Sequence, residues 1–538
     1  MTFILQTLAL ALALGACAAT QPPAPVTGGR PRLAVVIVVD GLPQRQAVDY
    51  RDQLSPDGLE RFFTRGVWFT EAHYGYANTE TAPGHATIAT GAYPHRSGII
   101  ANQWLEPSTG ALTYCFADPE ASYIGHRTAP REGTSPRNLL VEALGDALKH
   151  ADARSKVIAI ADKDRGAIAP AGKRGTAYIY REDTGLFAST TYYMKEHPRW
   201  VSDFNAAKHA DRYLGAEWKP LLAEGAYARS QPGGKLPHKL AAQPGPKYYE
   251  EVMGTPFGDD LMLQFARAAV AGEQLGRDGS PDLLFVSLST HDYLNHAYGA
   301  ESRISHDHVL YVDRALQEFF NDLDVAIGRE NYLAVLTADH GFTPVPEHSQ
   351  SVGRDAGRVH PVRLLARLNE GLVKKYGAGR WVLGFSAHAL VLNHPLARSR
   401  AIALDELANE TRKLLVTEPG ILRAYTRAEL QGAPRPDDAL FEAARKSWHP
   451  QRSADLHMVL KPYWLLGSHS GGTTHGSPHS YDTNVPLMLY GPAWIPAVGR
   501  IDKRVEISDI APTLAKLLGV PPPAQSEGRP LPMDPLAR

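Results

Sequence analysis

Thr81 opens a Thr-Ala-Pro-Gly-His-Ala-Thr run that leads from a polar segment into small and apolar residues suited to a helix. Pro83 has no N–H and a preset φ, which suits the first helical turn. The unpaired N–H groups and the dipole at a helix start favour an anion. A hydroxyl placed there can face a phosphate or sulfate and lose its proton more readily than in bulk solvent. The same threonine also reads as an ordinary N-cap, and Thr79, two residues earlier, is a rival hydroxyl.

Four apolar runs must position whatever acts with it. Leu33–Val39 is a continuous β-branched run, the pattern of a strand buried on both faces of a parallel sheet, and it ends at Asp40-Gly41. Ligands of open α/β sheets sit at the carboxyl ends of strands, although Asp-Gly also begins common turns. The run at 156–161 ends in Asp162-Lys163-Asp164-Arg165. Lys163 and Arg165, two apart in an extended segment, are expected to project from one side and grip one anion; a solvated turn is the plainer alternative. The run at 282–289 is followed by Thr290-His-Asp292-Tyr-Leu-Asn-His296, whose Asp and His fall on one helix face. The run at 332–337 is followed by Asp339-His340-Gly341, and a Gly-rich loop adds His475. One histidine or aspartate alone is usually a satisfied surface or core residue. Repeated placement at strand ends and in a Gly-rich loop is hard to explain as turns. Mixed carboxylate and imidazole donors suit Zn²⁺ better than Ca²⁺ or Mg²⁺. Asp40, Asp292, His296, Asp339, His340 and His475 would serve two ions at three apiece, with positions left for a nucleophile and a substrate oxygen.

The pieces Val-Val-Asp40-Gly, Thr81-Ala-Pro-Gly-His-Ala-Thr, Gly-Ile-Ile-Ala-Asn102, Lys163-Asp-Arg165, Thr-His-Asp292-Tyr-Leu-Asn-His296, Ala-Asp339-His340-Gly and Thr-Thr-His475-Gly-Ser-Pro occur in this order. In this the chain resembles the alkaline phosphatase superfamily, most closely its monomeric, phosphate-irrepressible members with a threonine nucleophile. The resemblance implies a central, mostly parallel α/β sheet flanked by helices, with α+β insertions forming a cap. It implies that Asp292, His296 and His475 hold one zinc, and that Asp40, Asp339 and His340 hold a second with Thr81 as fourth ligand. Asn102, Lys163 and Arg165 would contact the non-bridging phosphoryl oxygens; His479 is left outside the shell. The implied activity is hydrolysis of small-molecule phosphate monoesters through a phosphothreonine. The Cys/Ser-x-Pro-Ser-Arg motif of sulfatases is absent. The runner-up is a nucleotide pyrophosphatase/phosphodiesterase, a group that shares the metal shell but lacks the Lys-x-Arg pair. A catalytically idle, metal-binding surface lipoprotein is the reading from outside enzymology.

The chain has 538 residues, with 56 Lys plus Arg against 57 Asp plus Glu, so no bulk field points to nucleic acid. Residues 1–17 read as a signal peptide, with Leu-Gly-Ala-Cys17 of lipoprotein type but no basic n-region, and 18–31 as a Pro-rich tether. That predicts an exported, periplasmic or outer-membrane-anchored bacterial monomer with a lipid on Cys17. Cys115 is then left without a disulfide partner. Core α/β segments are expected at 32–171, 259–357 and 462–538. An aromatic-rich insertion is expected at 172–258 and a cap at 358–461. Helices are predicted over 56–65, 138–150, 259–275, 306–327, 362–375, 401–415 and 506–518, and strands over 381–391 and 485–490.

Overall fold

The computed structural model describes residues 29–106, 110–129, 132–468 and 471–533. The segment read as a signal peptide and most of the tether lie outside the described residues. Nine strands form one sheet: β1 (Leu33–Val39), β2 (Val67–His73), β3 (Val157–Ala161), β4 (Thr176–Arg181), β5 (Leu186–Ala188), β6 (Asp282–Leu288), β7 (Tyr332–Thr337), β8 (Leu487–Tyr490) and β9 (Gly499–Glu506). Their order across the sheet is β9-β2-β8-β7-β1-β6-β3-β4-β5. The middle five, β7-β1-β6-β3-β4, are mutually parallel. β8 runs antiparallel to its neighbours β7 and β2, and β5 runs antiparallel to β4. This is the mostly parallel α/β sheet, flanked by helices, that the sequence predicts.

Every residue of β1, β6 and β7 is buried. Side chains that alternate between two covered faces are mostly apolar on both, which explains the runs rich in Val, Ile and Leu, with Ser287 of β6 as a buried polar exception. Three helices carry the chemistry at the carboxyl ends of these strands: α1 (Thr81–Thr90), α2 (Asp164–Ala171) and α3 (Thr290–Tyr298). Both α1 and β3 pack against α2.

The structure departs from the sequence reading in several places. The helix expected over 138–150 begins at Leu144, because the Asp146 carboxylate caps the Ala143 N–H at 3.0 Å and fixes the start there. Before it lies a short 3-10 turn, Pro136–Asn138. Residues 176–188, assigned above to the insertion, instead extend the central sheet as β4 and β5. Strands β2 and β9 carry charged residues and were not anticipated. β9 alternates exposed and half-buried residues along most of its length, the habit of a charged edge strand. The single strand expected over 381–391 is a hairpin, Val382–Ser386 with Ala389–Leu392.

That hairpin, with Leu456–Leu460 and Ile421–Thr426, makes a separate four-stranded antiparallel sheet. Helices Pro361–Tyr376 and Leu404–Leu415 cover it around Leu364, Leu368, Leu372, Trp381, Leu407 and Leu415. The four-residue spacing of the first three leucines puts them on one helix stripe. This cap reaches the site through helix Ala439–Ser447: Ser447 Oγ accepts from the N–H groups of Ala77 (2.8 Å) and Asn78 (3.0 Å), just ahead of α1.

Candidate active site

Asp40 extends the β1–β6 ladder by one bond, from its N–H to Leu288 O at 2.9 Å. The next residue turns away with φ +73°, where a Cβ would lie 2.6 Å from the Phe342 ring, so glycine is required at 41. The Gly41 N–H then donates to Asp339 Oδ1 at 3.0 Å and ties the ends of β1 and β7 together. At Gly84 a Cβ would lie 2.2 Å from Asp339 O. Absence of a side chain there lets α1 press against the β7 loop and brings Thr81 to the donors. One turn of α3 carries Asp292 and His296, and the loop after residue 471 carries His475.

Ligand atoms of Asp40, Asp339 and His340 lie within 4.8 Å of one another, and so do those of Asp292, His340 and His475. His340 Nε2 is 3.4 Å from Asp40 Oδ1, 3.5 Å from Asp339 Oδ2 and 3.9 Å from Asp292 Oδ1. The His340 and His475 rings stack with centroids 3.4 Å apart. His296 sits at the rim, its side chain 40 % exposed and its Nε2 3.4 Å from Asp292 Oδ1. His479 turns elsewhere, its Nε2 2.9 Å from Leu460 O. These three site histidines all use Nδ1 on a carbonyl: His340 on Gly341 (3.0 Å), His475 on Thr79 (2.7 Å) and His296 on Thr473 (3.0 Å). A carbonyl can only accept, so the ring proton belongs on Nδ1 and Nε2 is left as a lone-pair donor.

The donors are short of positive charge. Asp40, Asp292 and Asp339 are all buried, and the ammonium of Lys163 lies between two of them, 2.6 Å from Asp40 Oδ2 and 2.5 Å from Asp292 Oδ2. Burial, with Asp339 and Asp292 close by, pushes the Asp40 carboxyl well above its usual range. Asp292 is held well below its range: burial opposes this, but Lys163 and the histidines prevail. Burial lowers both His340 and His475, which favours their neutral form. Asp40 Oδ1, Asp292 Oδ1, Asp339 Oδ2 and His340 Nε2 are buried without a hydrogen-bond partner. Orphaned buried acceptors are costly, and here four converge on one place. The residues present therefore fit bound cations: three carboxylates and neutral imidazoles against one ammonium, with bare donor atoms facing inward.

On the other side of Thr81 the groups are already partnered. Asn102 Oδ1 accepts from the Ala82 N–H at 2.8 Å, and the Asn102 N–H donates to Glu80 Oε2 at 2.8 Å. Burial raises the Glu80 carboxyl to about 7. Lys163 and Arg165 do not share one extended segment, contrary to the sequence expectation. The chain becomes helical at Asp164, whose carboxylate accepts the Arg165 N–H at 2.7 Å and fixes the first turn. Lys163 consequently points into the donors, while Arg165 lies against Tyr114, Cys115 and Asp164. Tyr114 in turn donates its hydroxyl hydrogen bond to Asp164. Cys115 is free and buried.

Thr81 is 1 % exposed and is the first residue of α1. The Thr79 hydroxyl is engaged with Ser477 O at 3.0 Å. Sequence reasoning overlooked His85, whose Nδ1 is 3.0 Å from Thr81 O and 3.3 Å from Asp339 Oδ2 and whose Nε2 is 2.9 Å from Ser287 Oγ. Its position four residues after Thr81 in a helix was the available signal. Tyr293, with Lys163 Nζ 4.7 Å from its ring centre, was overlooked too and lies between Asp292 and His296.

A family model described as type I phosphodiesterase / nucleotide pyrophosphatase matches residues 34–482. A protein of Myroides odoratus named calcium-transporting ATPase is 33 % identical over 520 residues, covering 93 % of this chain and 94 % of its own length. Among the described residues, no helix is long and apolar enough to cross a membrane. Alkaline phosphatase PhoV of Synechococcus elongatus is 32 % identical over 524 residues, covering 94 % and 93 %. The crystal structure of wild-type alkaline phosphatase PafA matches with a TM-score of 0.86 at 30 % identity, covering 94 % of this chain and 99 % of that one. The chain belongs to the type I phosphodiesterase / nucleotide pyrophosphatase family of the alkaline phosphatase superfamily, and is a phosphatase hydrolase of the PafA type.

Proposed function

We propose that this phosphatase hydrolyses small-molecule phosphate monoesters with two zinc ions and a phosphothreonine formed on Thr81. The observation that carries the reading is the convergence of four unpartnered donor atoms beside a threonine at a helix start. Asp40, Asp339 and His340 would hold one ion together with Thr81, and Asp292, His296 and His475 the other, with His340 close enough to both groups to be shared. When bound, such ions supply Lewis-acid charge that lowers the pKa of a coordinated hydroxyl and stabilises a departing alkoxide.

The chain's own residues do the rest. The helix start orients the Thr81 hydroxyl toward phosphorus; its oxygen, having given its proton to solvent, displaces the alcohol in line, forming the phosphoryl ester and breaking the ester bond of the substrate, whose alkoxide takes up a proton from water. Asn102, its amide fixed by Ala82, offers its Nδ2 hydrogens to a non-bridging oxygen. Arg165, buttressed by Tyr114, faces a second oxygen and the extra charge of a monoester. Water then hydrolyses the phosphothreonine from the side vacated by the alcohol and releases phosphate. Such a loose transition state needs positioning and charge more than new bonds.

The apolar run and Leu-Gly-Ala-Cys17 support export, with a lipid on Cys17 as the anchor. The division into core and insertions belongs to the same reading, with the first insertion starting after Ala188. A nucleotide phosphodiesterase remains the second reading, because the matching family model carries that description. Mass spectrometry of enzyme quenched in acid during turnover tests the nucleophile. A phosphoryl group on the peptide containing Thr81, absent in Thr81→Ala, is the expected result. Labelling of Thr79 instead would overturn the assignment.

A further inference from the structure

Beside the clamp a cavity of about 560 Å³ is lined by Lys163 and Arg165 at one end and by Tyr114, Tyr123, Tyr180 and Tyr293 along its walls. Three arginine or lysine side chains border it, each beside a carboxylate or a ring, with the Nε atoms of Arg165 and Arg181 buried and without a hydrogen-bond partner. Lys163 Nζ binds Asp40 and Asp292, Arg165 lies on Tyr114, and Arg181 stacks over Tyr123 at 4.1 Å and pairs with Asp183. Among the described residues, three carboxylates of the lining, Asp162, Glu182 and the exposed Glu132, have no ion pair with these side chains. Asp162 is 9 % exposed; its Oδ2 accepts from Tyr293 at 2.9 Å, but its Oδ1 is buried with no hydrogen-bond partner. Glu182 stands at the exposed rim, where partial burial and the nearby Asp162 raise its carboxyl. Among the described residues these three belong to no group of three metal donors. What the cavity leaves for a ligand is therefore the acidic groups Asp162, Glu182 and Glu132 beside the Tyr114 ring, since Lys163 already lies over Tyr293 and Arg181 over Tyr123, next to the place where a phosphoryl group would be held.

We propose that this cavity selects the substrate's alcohol portion, and that the preferred substrates are phosphate monoesters of amino alcohols, carrying an ammonium a few bonds from the phosphoryl group. The Asp162 carboxylate, its Oδ1 unpartnered, and the exposed Glu182 supply charge opposite to an ammonium, and the Tyr114 ring borders the same cavity and can add a cation–π contact. This rests on the phosphatase reading above and adds its substrate class. An uncharged alcohol of the same size gains only contact with the rings, and an acidic one is repelled by the two carboxylates.

The test is the ratio of kcat/KM for 2-aminoethyl phosphate to that for 2-hydroxyethyl phosphate, with p-nitrophenyl phosphate run alongside. Comparing the ratio between variants cancels the different leaving-group chemistry of the two alcohols. Glu182→Lys, at the exposed rim, should lower the ratio at least about fivefold, since a cation–π and carboxylate site at partial exposure is worth roughly that much. Asp162→Asn, which keeps the shape, should lower it by a similar factor. Turnover of p-nitrophenyl phosphate should change less than about twofold, consistent with a site that reads the cation and not the phosphoryl group. The trimethylammonium analogue should show the same drop. A ratio that is unchanged in both variants overturns the assignment of this cavity. A wild-type protein that turns over none of the three esters overturns the phosphatase reading itself, so the two failures are distinct.

Discussion

The two halves of the site that meet at Thr81 are built on opposite principles. The half proposed to hold metal hangs from the ends of β1, β6 and β7 and leaves four buried donor atoms unpartnered. The half proposed to hold the phosphoryl group lies beside the first turns of α1 and α2 and is already hydrogen-bonded: Asn102 to Ala82 and Glu80, Arg165 braced by Tyr114 and Asp164. A cation bound by carboxylates and imidazoles brings its own charge, so the protein need only hold bare donors in place. An anion that changes shape during reaction must find its donors preoriented, since reorienting them in the transition state costs rate. Lys163 joins the halves, with its stem in the clamp segment and its ammonium among the donors.

The comparison breaks most visibly if the donors are removed. Asp339→Ala or His475→Ala should lose one ion each and lower kcat/KM at least about 10⁴-fold, since several kcal/mol of charge stabilisation disappear. Zinc measured by elemental analysis should fall from two per chain toward one. Variants that keep two ions and most activity would place the metal elsewhere.

Emptying the clamp should act differently. Arg165→Ala should cost about 10²–10³ in kcat/KM on an aryl phosphate monoester, some 2.7–4 kcal/mol, and much less on a methyl aryl diester, which presents one fewer charged oxygen. Metal content should stay at wild-type level. Equal losses on both esters would put the phosphodiesterase reading first.

The smallest effect sharpens the point about preorganisation. Tyr114→Phe keeps the ring and removes the hydroxyl that bonds Asp164 beside Arg165. It should lower monoesterase kcat/KM by about tenfold, the worth of one or two hydrogen bonds. In an Arg165→Ala background the same change should have little further effect. Additive losses would show that Tyr114 acts independently of the guanidinium.

How much of this is legible in sequence follows the same division. β1, β6 and β7 announce themselves as unbroken β-branched or aliphatic runs, because both of their faces are covered, and their acidic ends mark the donors at once. β9, with Arg500, Asp502, Lys503 and Arg504, reads as a loop because an edge strand needs no apolar pattern. β4 and β5 hide in an aromatic-rich stretch where Tyr178 and Tyr180 are core residues, not an insertion's surface. In the clamp, residue types pointed to an anion, but the extended geometry assumed for Lys163 and Arg165 was wrong. A helix that begins at Asp164 cannot be seen by counting alternate residues. His85 escaped notice because its role depends on Asp339, some 250 residues away and held beside it by Gly84.

The central claim is that two metal ions sit at the bare donors beside Thr81. Anomalous diffraction from crystals of the zinc-loaded protein, recorded on both sides of the zinc absorption edge, tests it most directly. The expected result is two peaks, one among Asp40, Asp339 and His340 and one among Asp292, His475 and His296, a few ångströms apart at about 4 Å. One peak, or none at these six side chains in protein that hydrolyses phosphate monoesters, would contradict it.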